Sequence, residues 1–277
     1  MENIKLVATD LDGTFLKNDQ SISNKNLDAL NGLGDAEIVR VAATGRNLRK
    51  VKDVLNADIP FDFIVFSSGA GVYDWKEKRH IYNKNIDKEH SQKLVNYFVE
   101  KRLNFHAFFP VPENHKYWYF KGKNSCDEFD RYFKFNNAFA HDLSNNGKLE
   151  TNLCQFLLII KEDEKNFELL KNDIEAISPE IRVIRTSSPI TKGYIWLEVF
   201  QKSVSKGNGV KHICDLLDIK YTETIGIGND YNDFDLLDFT RHSFITENAP
   251  TKISKLYKSA PSNENDAFAF VTQSLFK

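Results

Sequence analysis

The feature that most constrains this chain is Asp10-Leu11-Asp12-Gly13-Thr14-Phe15, set directly after the apolar run Ile4-Lys5-Leu6-Val7-Ala8. Residues 4–9 read as a short buried strand, so two carboxylates at i and i+2 fall where that strand ends. In an open α/β sheet, ligands gather at the carboxyl ends of the strands. The pair suits phosphoryl transfer, in which one carboxylate attacks phosphorus and the other moves a proton. Gly13 lets the chain turn sharply without a Cβ penalty. Thr14 offers a hydroxyl and an N–H to an incoming phosphate.

An alternation of helices and strands follows. Ser23 caps a helix over 23–33 with leucines at helical spacing. Residues 38–43 form a strand ending at Thr44-Gly45-Arg46, 47–56 a helix, and 63–66 a strand ending at Ser67-Ser68-Gly69. This order implies a parallel sheet with right-handed crossovers. From about 80 to 190 the pattern changes to a helix over 88–101, aromatic-rich strands at 104–109 and 116–120, and a helix around 126–133. A strand at 155–160, a helix at 164–177 and a strand at 181–186 complete it. Here β-branched and aromatic alternation predicts an antiparallel sheet with helices on one face. The core resumes with a strand at 194–199, a helix from Lys206 to about Leu217 and a strand at 224–227. A helix near 233–237, a strand at 244–246, a turn at Asn248-Ala249-Pro250 and two short helices end the chain. The fold class is α/β: a Rossmann-like parallel-sheet core over 1–79 and 191–277, with an α+β domain over 80–190 inserted into it.

Two further segments stand in order behind the opening hexapeptide. They are Lys206-Gly207, and the strand-to-acid run Thr224-Ile225-Gly226-Ile227-Gly228-Asn229-Asp230-Tyr231-Asn232-Asp233. On these motifs the chain resembles the haloacid dehalogenase (HAD) superfamily phosphatases, in the Cof-type branch with a large α/β cap, over nearly its whole length. The resemblance implies a Mg²⁺-dependent phosphomonoesterase working through an aspartyl-phosphate. Asp10 would be the nucleophile, Asp12 the general acid and then base, and Lys206 the cation that neutralises the nucleophile and the phosphoryl oxygens. Thr44, Gly45 and Asn232 would bind the phosphoryl group, and Arg46 either reaches substrate or stands as a solvated or paired arginine. The inserted domain would be a cap that closes over the site and selects a small phosphorylated metabolite.

The metal set implied by the resemblance is Asp10, the backbone carbonyl of Asp12 and an acid from the 229–233 loop. Here the chain departs from the family. Gly-Asp-x-x-Asn-Asp is the usual run, whereas this chain has Gly228-Asn229-Asp230-Tyr231-Asn232-Asp233. Either the Asn229 amide oxygen coordinates directly, or Asp230 or Asp233 replaces it, or metal binding is lost. A retained but weaker Mg²⁺ site is the reading adopted, because three loop positions still carry acid or amide oxygens. A phosphomutase and a catalytically weak binding protein stand as alternatives, and a phospho-receiver domain fits less well.

Composition narrows the rest. At 277 residues the chain is long for one domain and comfortable for two. A net charge of −2 gives no electrostatic argument for nucleic acid or an anionic membrane. Cys126, Cys154 and Cys214 are odd in number and widely spaced, which argues against a disulfide framework or zinc site. The Ile4–Ala8 run is far too short to span a bilayer, so a soluble cytoplasmic protein is expected. Phe105, Phe108, Phe109, Tyr117, Trp118, Tyr119 and Phe120 read as cap core ahead of a stacking platform. His106 and His115 read as surface or strand residues without metal-ligand spacing. Ser68-Gly69 reads as a structural turn.

Overall fold

The computed structural model describes residues 3–123, 126–143, 148–149 and 151–275. In chain order the first elements are β1 (Leu6–Thr9), α1 (Asn24–Asp35), β2 (Val39–Ala43), α2 (Leu48–Val54), β3 (Phe63–Phe66), β4 (Gly71–Asp74) and β5 (Arg79–Asn83). Then come α3 (Lys88–Glu100), β6 (Phe105–Phe108), β7 (Tyr117–Phe120), α4 (Asp127–Asn136), β8 (Ala140–Asp142) and β9 (Gln155–Lys161). They are followed by α5 (Glu164–Glu175), β10 (Ile181–Ser187) and β11 (Tyr194–Gln201). The last are α6 (Lys206–Leu217), β12 (Thr224–Gly228), α7 (Phe234–Phe239), β13 (His242–Thr246), β14 (Lys258–Ala260) and α8 (Ala267–Thr272).

Two compact units result, one from residues 1–83 and 204–277, the other from 84–203. The first holds a sheet in the order β14-β13-β12-β1-β2-β3-β4-β5. Its strands are parallel from β14 through β3, and β4 and β5 add an antiparallel edge. β1 sits centrally because Leu6, Val7 and Ala8 have no polar face to leave in water, and all are buried. Leu6, Ala8, Val41 and Val65 from the strands pack with Val210, Ile213 and Leu236 from α6 and α7.

The second unit holds the sheet β10-β11-β9-β6-β7-β8, antiparallel except for the β7–β8 pair. One face is covered by Leu94, Val95 and Phe98 of α3 and by Phe167 and Ile174 of α5, set against Phe105, Phe156, Leu158 and Leu197. The expectation of helices on one face needs correcting. Side chains alternate along a strand, so His106 points opposite to Phe105 and Ala107. There it meets Phe129 and Tyr132 of α4, with ring centroids 4.3 and 4.6 Å away. His106 is thus fully buried, not at the surface.

The unit boundary also differs from the sequence reading. The sequence places a strand at 194–199 with the core, yet β11 pairs antiparallel with β9 and β10 in the second sheet. A strand of this length and apolarity suits the middle of either sheet, and only its neighbours decide. The β4–β5 hairpin belongs to the first unit, so the chain crosses at 83/84 and 203/204. Among the described residues no helix is long and apolar enough to cross a membrane.

Candidate active site

Asp10 follows β1, and its N–H donates to the Ile227 carbonyl of β12 at 2.9 Å. The next residues fold into a tight loop. The N–H groups of Phe15 and Leu16 donate to the Leu11 carbonyl at 3.1 and 2.8 Å. Phe15 anchors that loop, buried edge-on against Phe61 and Phe268. Gly13 takes φ +75°, and a Cβ there would lie 2.4 Å from Asn229 Nδ2, so glycine is required twice over. The Gly13 carbonyl accepts from Asn248 Nδ2 at 2.9 Å and from Thr246 Oγ1 at 3.4 Å. Those two residues escaped the sequence reading, since only the fold brings them within reach.

Lys206 opens α6 behind the Ser205 cap, whose side chain accepts from the Asn208 N–H. Its stem is buried, and Nζ donates to Asp10 Oδ1 at 2.7 Å and to Asp233 Oδ1 at 2.6 Å. It also donates to Asn232 Oδ1 at 3.5 Å. The turn before it is tightly fitted. Gly69 has φ +102°, and a Cβ there would fall 2.1 Å from the Ser205 carbonyl oxygen. Ser67 and Ser68 also have positive φ, so three successive left-handed residues shape this turn.

Asp233 serves the loop as well as the lysine. Its Oδ2 accepts the backbone N–H groups of Asn229 and Asp230 at 2.8 and 3.0 Å. The Asp233 N–H in turn donates to the Asp230 backbone carbonyl at 3.0 Å. The Asp233 carboxylate is thereby engaged in holding the 229–233 loop. Thr44 ends β2, the strand beside β1, and is buried. Its Oγ1 accepts the Arg46 N–H at 3.1 Å, which leaves its own hydrogen free to donate. Gly45 adopts no left-handed conformation, and an added Cβ would make only ordinary contacts, 3.6 Å from Asn232 Nδ2 and Ser68 Oγ.

Arg46 has a sharper position than the sequence allowed. Its Nε and Nη2 grip Asp12 Oδ2 and Oδ1 at 2.7 and 2.6 Å, a two-point ion pair. Asp12 is half-exposed, whereas Asp10 is almost wholly buried. Burial pushes the Asp10 carboxyl up to about 8; Lys206 opposes that shift, and the charges of Asp233 and Asp12 add to it. Burial lowers the Lys206 ammonium, but Asp10 and Asp233 outweigh it and hold the group above its ordinary range. One ammonium thus serves two buried carboxyl groups.

The donors there fit a small hard cation. The end of the Asn229 amide lies 3.0 Å from the Asp12 carbonyl oxygen and 3.2 Å from Asp10 Oδ2. Oxygens adjacent on an octahedral Mg²⁺, with bonds of about 2.0–2.1 Å, sit about 3 Å apart. Among the described residues no cluster of three or more His, Cys, Asp or Glu side chains could hold a metal. A metal here would therefore rest on one carboxylate, one carbonyl and one amide.

Comparison with known proteins agrees with this geometry. The family model described as haloacid dehalogenase-like hydrolase matches residues 7–271. A Buchnera aphidicola (subsp. Schizaphis graminum) protein is 28% identical over 285 residues, covering 99% of this chain and 96% of its own. The Bacillus subtilis 5-amino-6-(5-phospho-D-ribitylamino)uracil phosphatase YwtE is 24% identical and covers 98% of each chain. The HAD subclass IIB sugar phosphatase BT4131 superposes with a TM-score of 0.75 at 16% identity, over 98% of this chain and 99% of that one. The chain belongs to the haloacid dehalogenase-like hydrolases.

Proposed function

We propose that this hydrolase is a Mg²⁺-dependent phosphomonoesterase for a small phosphorylated metabolite. The observation that carries the reading is the buried Asp10–Lys206–Asp233 triad with Asp12 two residues from the nucleophile. Asp10 attacks phosphorus in line and becomes an acyl phosphate as the bond to the leaving oxygen breaks. Asp12, in its protonated form, gives its proton to that leaving oxygen. Asp12 then takes a proton from water, which attacks the acyl phosphate and regenerates Asp10. Lys206 keeps Asp10 aimed and offsets the charge gathered around it. Thr44 Oγ1–H and the Asn232 amide are the donors for the phosphoryl oxygens.

Asp10, the Asp12 carbonyl and Asn229 would hold the metal, with Asp233 positioning their loop. Bound there, Mg²⁺ supplies positive charge against the phosphoryl oxygens, and hydrolases of this family generally use a divalent metal. YwtE, which is named for a small phosphorylated pyrimidine, supports the substrate class. The inserted unit is assigned the role of selecting the substrate.

The test is to trap the intermediate. Asp12→Asn should accumulate phosphoenzyme on Asp10 during p-nitrophenyl phosphate turnover, read by intact-mass and peptide mass spectrometry. Phosphate on any other residue would rule out Asp10 as nucleophile.

A further inference from the structure

The Asn229 amide end touches three oxygens at once: the Asp12 carbonyl at 3.0 Å, Thr14 Oγ1 at 3.2 Å and Asp10 Oδ2 at 3.2 Å. The Asp12 carbonyl carries no hydrogen and is a pure acceptor, and Asp10 Oδ2 is one whenever Asp10 is ionised. An amide has two unlike ends of almost the same shape. With Oδ1 inward, the amide accepts the Thr14 hydroxyl at 3.2 Å but faces the Asp12 carbonyl and Asp10 Oδ2 oxygen to oxygen, a crowding that a cation between them relieves. With Nδ2 inward, its two hydrogens serve the Asp12 carbonyl and Asp10 Oδ2, and the same cluster is satisfied by the protein alone. An aspartate at this position could do only the first.

We propose that the Asn229 carboxamide is a two-ended latch on the nucleophile, oxygen inward when Mg²⁺ is bound and nitrogen inward when it is not. The inference rests on the reading that this chain binds Mg²⁺. In the metal-free protein Nδ2 ties Asp10 Oδ2 while Lys206 ties Oδ1, so both nucleophile oxygens are held by donors. Binding of Mg²⁺ rotates the amide by half a turn, which removes a donor from Asp10 in the step that assembles the metal's ligands. The site thereby tolerates the metal-free state, in which a third carboxylate would stand against Asp10. It does so at lower affinity for Mg²⁺, since one formal charge is missing from the ligand set. Gly13 makes this possible, because any side chain there would collide with the amide.

The experiment uses the full chain with ¹⁵N-asparagine, its Asn229 side-chain signal assigned by comparison with Asn229→Asp. Mg²⁺ is titrated while calorimetry records binding, and thermal unfolding is followed with and without the metal. The latch predicts an Asn229 NH₂ signal protected from exchange in EDTA that shifts and loses protection in step with the binding heat. Asn229→Asp should bind Mg²⁺ about tenfold or more tightly, yet unfold about 3 °C or more lower in EDTA. Binding heat with an unmoved Asn229 signal would overturn the latch and leave the Mg²⁺ site standing. A variant unchanged or more stable in EDTA would overturn it as well. Absence of any Mg²⁺ binding by the wild-type chain would instead overturn the metal reading, and the latch with it.

Discussion

At the residue scale the site depends on one cation serving two buried acids. Lys206→Met would leave Asp10 and Asp233 side by side without compensation. Removing one partner of a buried pair costs about 3–5 kcal/mol, so the urea midpoint at pH 8 should fall sharply. A midpoint within experimental error of wild type would show that the triad is not the electrostatic centre of the fold. Arg46→Ala should lower kcat/KM on p-nitrophenyl phosphate by about tenfold to a hundredfold, because a two-point charged pair of about 1.5–3 kcal/mol is lost beside the reacting groups. Unfolding measurements on the same variant should move little, since Asp12 is half-exposed.

The residues of this site differ in how legible they were. Asp10 and Asp12 lie two apart on one strand end, so sequence proximity alone showed them together. Lys206 and Asp233 are about two hundred residues or more further on and were found only through the order of motifs. The Arg46 grip on Asp12, and the support of Gly13 by Thr246 and Asn248, leave no local pattern. Each is a contact between loops at the ends of different strands. Asp230 and Asp233 were read from the family motif as acids that could replace Asn229 on the metal, and the Asp233 carboxylate spends its oxygens on Lys206 and on the N–H groups of its own loop.

At the scale of elements, the parallel strands were readable because β1, β2 and β3 are short apolar runs bounded by turns. The hairpin β4–β5 was missed, as its polar tip Lys76-Glu77-Lys78 hides the two strands it joins. β11 was placed in the wrong sheet for want of its partners, though its existence was plain. The Ser67–Gly69 turn is an element in its own right, wedged under the start of α6. Gly69→Ala combines a forbidden φ with a Cβ 2.1 Å from the Ser205 carbonyl. It should cost about 2 kcal/mol or more in thermal unfolding. It should also lower kcat, because the first residue of α6 is Lys206. A loss of stability with unchanged kcat would show that the turn does not aim the lysine.

At the scale of the whole molecule, two units with separate cores are joined at 83/84 and 203/204. The second unit carries its own acid-sensitive group. His106 is boxed by Phe129, Tyr117 and Tyr132, neither ring nitrogen has a hydrogen-bond partner among the described residues, and burial pushes it down to about 3. The unfolded chain takes up this proton near 6.5, so between about 6.5 and about 3 it binds more protons than the folded one. Stability of this unit therefore falls as pH drops through that window, by on the order of a few kcal/mol. His106→Leu should flatten the acid limb. Trp118 and Trp196 lie in the second unit and Trp75 in the first, so Trp75→Phe fluorescence reports the second unit alone. An acid transition left unmoved by His106→Leu would acquit the histidine.

The account's central claim is that Asp10 is a metal-assisted nucleophile toward phosphate monoesters. Its most direct test is p-nitrophenyl phosphate hydrolysis by wild type and Asp10→Asn across a Mg²⁺ titration, with EDTA as control. The account predicts turnover that rises with Mg²⁺, vanishes in EDTA and drops by about three orders of magnitude or more in the variant. Equal turnover by Asp10→Asn, or turnover indifferent to EDTA, would contradict it.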